Sequence, residues 1–411
     1  MANPAASTPP DALMNDALMN DGLMNDGLMT DPYGTYARLR ESTPVRRVSG
    51  PDGSPAWLVT RYDDVRAALA DERLSVHKKH ALPGSYRGFS LPPALDANML
   101  NMDPPDHTRI RRLVVKAFTG RRVEKLRAPV RHTADRLLDA VERDGHADLV
   151  AAYAEPLPIT TICDLLGVPA THRRDFTDWT DALIAPDPAR PQRAKEAVVA
   201  MLGFYTGLVA DKRKAPGDDL LSDLIAARDE GDRLGEDELT SLAFLLHFAG
   251  YENAVQLIGN SVLALLTHPD QLAALRADPA RLPGAVEEFM RYDTSAVFSI
   301  RRFAREDVTI GGVTVSAGET VFLGLGSAGR DPGRFPDPDR LDITRDAGGH
   351  LALGHGIHHC VGAPLARLEL TVAVGALLER FPRLALGVPE QELRWRPSMR
   401  SRGLLALPVV F

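Results

Sequence analysis

The chain has 411 residues, 44% hydrophobic and 25% charged, with a formal net charge of −7. This is an ordinary globular composition, and its acidic balance gives no general case for nucleic acid or a membrane surface as partner. Two cysteines far apart, Cys163 and Cys360, exclude a disulfide framework, and the lack of an apolar run of ~18 residues or a secretory leader points to a soluble, cytoplasmic protein.

Residues 11–31 repeat Asp-Ala-Leu-Met-Asn twice, then Asp-Gly-Leu-Met-Asn and Asp-Gly-Leu-Met-Thr. A five-residue period matches neither the helix nor the strand repeat, so its Leu-Met pairs cannot form one stripe. Residues 1–30 therefore read as a disordered low-complexity tail, a partner-binding segment being the alternative. One folded domain is expected over 31–411. It starts with a helix over 33–42, strands over 45–48 and 56–60, and a helix over 63–70. Residues 77–100 are rich in Pro, Gly and Leu without periodicity. A loop that long inside a compact protein is usually functional.

At Asp103-Pro104-Pro105-Asp106-His107-Thr108-Arg109-Ile110-Arg111 the prolines and aspartates start a helix. His107 and Arg111 are four apart and share a face. That pair would suit a carboxylate-bearing ligand, since guanidinium forks match carboxylates; a solvated basic helix is the plain alternative. From Arg109 to Arg131 nine basic residues face one acid, Glu124. Such asymmetry predicts a docking surface for an acidic partner. A nucleic-acid patch is the competitor, although only Phe118 interleaves with the charges.

Helices are predicted over 123–143, 157–166, 172–183 and 193–214, with a proline-rich loop over 185–191. The longest runs over 236–267 and would span roughly 48 Å. It is apolar almost all round from Leu242 to Phe248, the mark of an interior helix. Its middle turns small and polar: Ala249-Gly250-Tyr251-Glu252-Asn253-Ala254. Gly250 weakens the helix there and leaves room for a ligand. An acid followed by an amide in an apolar helix needs hydrogen-bond partners or a function, unless Asn253 merely kinks the helix. Glu288 and Arg291 lie three apart on one helix face, by itself most often a surface ion pair. Strands follow over 308–310, 313–315 and 320–323, joined by glycine turns. The tail 391–411 reads as short strands with a turn at 399–402.

Near the C-terminus stands Leu353-Gly354-His355-Gly356-Ile357-His358-His359-Cys360-Val361-Gly362. Gly354 and Gly356 permit positive-φ turns, and Pro364 suits a first helical turn. Leu365, Leu368, Val372 and Leu377 then recur at helical spacing. Cys360 is thus delivered to a helix start, where free N–H groups favour a thiolate. Zinc is a rival reading, but His355, His358, His359 and Cys360 are too crowded to turn onto one ion.

This loop closely resembles the cysteine-ligand loop of the cytochrome P450 monooxygenases, Phe-Gly-x-Gly-x-His-x-Cys-x-Gly, departing only at Leu353. The segments 103–113, 249–254 and 288–291 occur in the family's order. The resemblance implies a mainly α fold with a smaller β lobe, haem b lying between the long central helix and the cysteine loop. It makes Cys360 the iron ligand, and His107, Arg111, Arg302 and His358 the propionate partners. Leu353, Gly354 and Gly362 would line the haem.

The same resemblance puts the dioxygen groove at Ala249 and Gly250, and proton delivery at Glu252 and Asn253. Asn253 departs from the family's threonine. Leu245, Phe248, Ala296 and Val297 would form the substrate pocket, with 77–100 covering it and the helices around 185–191 acting as a lid. Arg340 would complete a buried triad with Glu288 and Arg291. The implied reaction is hydroxylation or epoxidation of a hydrophobic small molecule, of the macrolide or polyketide-tailoring type in bacterial secondary metabolism. Electrons would come from NAD(P)H through a reductase and an acidic ferredoxin docked on the basic face. A monomer with no nucleic-acid or membrane partner is expected. Atypical haem-thiolate chemistry (oxidative coupling or peroxide-driven oxidation) and a non-catalytic haem or ligand sensor are the alternatives.

Overall fold

The helix predicted over 236–267 spans Glu236–Leu266 and forms the axis of the larger, helical lobe. At 31 residues it is about 46 Å long. The structure is a computed structural model that describes residue 28 and residues 31–86, 91–184, 189–190, 192–229, 234–398 and 400–411. Apart from Leu28 and Asp31, the pentapeptide repeat lies outside the described residues, as do 185–188, Pro191 and Met399. Among the described residues, no helix is long and apolar enough to cross a membrane.

Pro156–Leu166, Gln192–Lys214, Leu282–Tyr292 and Ala363–Arg380 pack around the central helix. An apolar all-round helix can be stable only in such a setting. Its one histidine is accommodated by a buried polar node. His247 Nδ1 lies 2.7 Å from the Tyr205 hydroxyl, Nε2 lies 3.4 Å from Cys163 Sγ, and Phe176 stacks on the ring with centroids 3.4 Å apart. Burial lowers the histidine's pKa to about 3, so it stays neutral. Four helices meet at this node.

The smaller lobe carries a five-stranded sheet in the order β1-β2-β8-β5-β3. Its strands are β1 (Val45–Ser49), β2 (Pro55–Val59), β3 (Leu74–Ser75), β5 (Arg302–Ala304) and β8 (Thr320–Leu323). Only β2–β8 is parallel, with Leu58 opposite Phe322. β6 (Val308–Ile310) and β7 (Val313–Val315) form a hairpin. β4 (His146–Asp148), β9 (Ala385–Leu386) and β10 (Pro408–Val410) form a third sheet. β3 and β5 escaped prediction because two or three residues are too few to show alternation.

Two other expectations are corrected. The single helix over 123–143 is instead Gly120–Lys125 and Arg127–Val141. The first piece has its own cap, Thr119 Oγ1 accepting from the Arg122 N–H at 3.3 Å. Among its described residues the tail forms one strand, β10, and an isolated bridge from Trp395 to Leu404. Its backbone is spent on the central helix instead: the Arg402 carbonyl accepts from Asn260 Nδ2 at 3.1 Å. A Cβ on Gly403 would collide with Gln256, so only glycine allows that approach.

Glu369, on the helix Ala363–Arg380, is 2% exposed, and its Oε1 has no hydrogen-bond partner. Burial raises its pKa to about 8, opposed by Thr161. Between the unfolded value near 4.5 and about 8 the folded chain holds a proton that the unfolded chain has released. Stability therefore falls as pH rises through that window and levels off above it. Glu369→Gln is expected to stabilise the protein increasingly from pH 5 to pH 8.5, by at most about 5 kcal/mol. Urea midpoints at those two pH values check this; a gain independent of pH would contradict it.

Candidate active site

The cysteine loop bridges the two lobes. Leu351 belongs to the small lobe's core, whereas Leu353 and Val361 pack against the large one. Gly354 and Gly356 take φ values of 74° and 71°. A Cβ on Gly356 would lie 2.9 Å from the Leu69 carbonyl oxygen, so a side chain would push the loop off the helix Tyr62–Ala70. The Cys360 N–H donates to the Leu353 carbonyl at 2.8 Å, and the helix starts at Ala363 with Pro364 in its first turn.

The Cys360 side chain is accessible to solvent yet enclosed by protein, as expected for a group projecting into an internal cleft. Burial pushes its thiol pKa up, against the N–H groups of Gly362 and Ala363 and the charges of Arg111 and Arg367. Burial thus opposes the N–H groups at the helix start, which pull the thiol down as the sequence implied; a coordinated metal cation would stabilise the thiolate. His355, His358, His359 and Cys360 do not converge as a zinc site; no group of three or more His, Cys, Asp or Glu does so among the described residues.

Neighbouring acids on the helix Leu282–Tyr292 brace the loop. Glu287 accepts from Arg367 Nε at 2.6 Å and lies 3.2 Å from His350 Nε2, gripping residues on both sides of Cys360. Burial alone would raise the Glu287 carboxyl, but Arg367 and His350 bring it down to about 2. Glu288 accepts from Arg291 at 2.7 and 2.8 Å, both side chains fully buried. The third member is Arg345, whose Nε lies 3.3 Å from Glu288. Arg340 is not: its side chain is exposed, and only its carbonyl faces Arg291. The loop after Phe335 turns that side chain outward and brings Arg345 in.

Polar side chains gather nearby without hydrogen-bond partners to match. The His107 and His358 rings are 4.4 Å apart. Both nitrogens of His107, Nε2 of His358 and Nε of Arg302 are buried with no hydrogen-bond partner. Burial lowers Arg302 to about 10, with Asp103 opposing; Asp103 is already engaged by Ser75, the Val76 N–H and Arg305. Burial, then Arg302 and His107, take His358 down to about 3. Arg111 Nη2 donates to the His359 carbonyl at 2.5 Å. Buried polar groups are normally satisfied, so these orphans mark a site for an anionic ligand. The propionates of haem fit them.

Between Leu239 and Leu265 the central helix shows surface only at Phe248, Ala249, Gly250, Asn253 and Ala254. Ala249 and Asn253, four apart, are the most open, so one face is cleared at mid-helix. Glu252 points the other way, 4% exposed, with Gln256 Nε2 at 3.3 Å and Arg396 Nη1 at 3.9 Å. Burial raises its pKa, and Arg396 opposes the rise.

Three of the other sequence-derived positions do something different from what was expected. The space beside Gly250 is filled by Ile162, whose Cδ1 would lie 2.8 Å from an added Cβ. Gly250 thus serves helix packing. Leu245 is buried in the large core. Val297 is 6% exposed and packs on Gly326, whose N–H donates to its carbonyl at 3.1 Å. Phe248 and Ala296 do keep open surface. Gly362 lies beside the sulfur, an added Cβ falling 3.8 Å from it.

The basic run is partly spent on internal pairs: Arg109 with Glu238, Arg122 with Asp223, Arg127 with Glu124, and Arg131 with Asp135 and Glu379. Arg112, Lys116, Arg121 and Lys125 are exposed and have no ion pair to a described residue. The helix Asp106–Ala117 touches the cysteine loop through Arg111, and Ile357 on that loop is exposed.

Sequence reasoning missed Glu287, His350, Arg345, Arg367 and Arg396. Only Glu287 carried a signal, its place next to Glu288.

Comparison with known proteins matches this architecture. The family model described as cytochrome P450 matches residues 192–393. The chain is 50% identical to the cytochrome P450 monooxygenase PikC of Streptomyces venezuelae, covering 92% of this chain and 91% of that one. It is 47% identical to 6-deoxyerythronolide B hydroxylase of Saccharopolyspora erythraea, over 92% and 96%. The solved structure of the tirandamycin C-bound P450 monooxygenase TamI superposes with a TM-score of 0.87 at 45% identity, over 94% of this chain and 98% of that one. This chain belongs to the cytochrome P450 family and is one of its haem-dependent monooxygenases.

Proposed function

We propose that this monooxygenase, a single folded domain over 31–411 working as a cytoplasmic monomer, oxidises a polyketide- or macrolide-like small molecule. Its electrons would come from NAD(P)H through a reductase and an acidic ferredoxin. The cradle of unpartnered His107, His358 and Arg302 nitrogens beside an accessible Cys360 supports this most strongly. In this reading Cys360 ligates the iron, while His107, Arg302 and His358 hold the propionates and Arg111 steadies the loop carrying the ligand. Bound haem supplies reductive activation of dioxygen, favoured by thiolate donation. One oxygen atom enters a substrate C–H or C=C bond, and the other leaves as water with two electrons and two protons.

The protein's own part is to position groups and move protons. Glu252 is buried, holds its proton more tightly than an ordinary carboxyl, and connects through Arg396 to Asp181 at 3.1 Å. It is the proton donor of this reading. Asn253, open to the cleft, lacks a hydroxyl and orients water through its amide. Arg112, Lys116, Arg121 and Lys125 form the ferredoxin face of this reading, on helices next to the cysteine loop that carries the exposed Ile357.

Reconstitution with an acidic ferredoxin, its reductase and NAD(P)H, with product and peroxide both measured, tests the reading. Product dependent on dioxygen and the ferredoxin is expected. Asn253→Thr is expected to alter the share of reducing equivalents that reach product. An unchanged ratio of product to peroxide would remove Asn253 from the relay, and turnover with peroxide alone would favour the atypical chemistry.

A further inference from the structure

Four separate segments converge on the open face of the central helix. Tyr86 comes from the stretch after Lys78–His80, Arg301 from just ahead of β5, Arg400 from the C-terminal segment, and Phe248 from the helix itself. Arg301 Nη2 donates to the Tyr86 hydroxyl oxygen at 2.5 Å, its guanidinium carbon 4.2 Å from the ring centroid. The Arg400 guanidinium carbon lies 5.6 Å from the centroid of Phe248. Placement beside rings leaves N–H groups of both side chains available to a ligand. Because its oxygen accepts from Arg301, the Tyr86 hydroxyl keeps its own hydrogen to donate.

The charges here do not balance. Among the described residues, no carboxylate is bonded to either Arg301 or Arg400. Arg330, Arg367, Arg396 and Arg402 are matched, by Asp339 at 2.9 Å, Glu287 at 2.6 Å, Asp181 at 3.1 Å and Asp293 at 2.9 Å, whereas Arg302 in the cradle beside Cys360 is not. Arg400 keeps open surface, yet protein surrounds it closely enough that burial, then Arg301, lower its pKa. Two like charges held near each other in an enclosed place are costly unless an anion joins them. A carboxylate, planar and bidentate, is the partner their shape fits.

We propose that the substrate of this enzyme carries a carboxylate, seated between Arg301 and Arg400 and bonded by Tyr86, with its apolar body extending over Phe248 toward Ala249. This rests on the cleft at Ala249 and Asn253 being the substrate pocket of a haem-thiolate monooxygenase.

Holoenzyme titrated with dodecanoate and with methyl dodecanoate at low salt, followed by calorimetry and by the haem spin state, tests it. The acid is expected to bind at least about tenfold more tightly than its ester. Arg400→Gln and Arg301→Gln should each abolish most of that preference while leaving ester affinity within about twofold, and Arg400→Lys should retain part of it. Equal binding of acid and ester, no binding of the acid, or equal weakening of both ligands in the variants would overturn the proposal. The reduced carbon-monoxide spectrum of the same samples separates the two levels. A normal thiolate band without acid preference sinks the carboxylate site alone. Acid preference by calorimetry without that band sinks the haem-thiolate reading and leaves the carboxylate site standing.

Discussion

Arg291→Ala is expected to destabilise the fold by about 3–5 kcal/mol, because it leaves an uncompensated charge in the interior. Arg291 donates from Nε and Nη2 to Glu288, and from Nη1 to the carbonyls of Gly329 at 2.7 Å and Pro338 at 2.8 Å. Truncation removes the donors of all three acceptors, leaving Glu288 only Arg345 at 3.3 Å and the Asp342 N–H at 3.0 Å, both on Oε1. Against a net stability of about 5–15 kcal/mol, that loss should lower soluble yield and haem retention together. Arg340→Ala, in contrast, should cost within about 0.5 kcal/mol, since its side chain faces solvent. Urea unfolding of both variants decides the matter. Equal losses would restore Arg340 to the triad.

Cys360→Ala should do the reverse, sparing the fold and removing the chemistry. The loop is held by the Cys360 N–H to Leu353 and by the Glu287 grip on His350 and Arg367, all of which alanine keeps. Turnover is expected to fall by at least roughly a thousandfold, about 4 kcal/mol of barrier, with the urea midpoint little changed. The reduced carbon-monoxide complex should lose its thiolate-type red shift. A variant that kept wild-type turnover would mean the iron is ligated elsewhere.

Local chemistry decided a large part of this protein in advance. The cysteine loop was legible because positive-φ glycines, a first-turn proline and helical spacing act within a few residues of one another. The central helix and the strands at 308–310, 313–315 and 320–323 were legible because their periodicity is a property of the segment itself. Which side chains meet across the chain was not. Glu288 and Arg345 are 57 positions apart, and nothing between them tells Arg345 from Arg340. The resemblance put Leu245 and Val297 in the substrate pocket and Gly250 in the dioxygen groove, but Leu245 and Val297 are buried and Ile162 fills the space beside Gly250. Half-neutralisation of the basic run and the unmatched pair at Arg301 and Arg400 likewise exist only once separate segments are brought together. Burial and charge pairing are properties of neighbours in space, and the folded backbone alone chooses those neighbours.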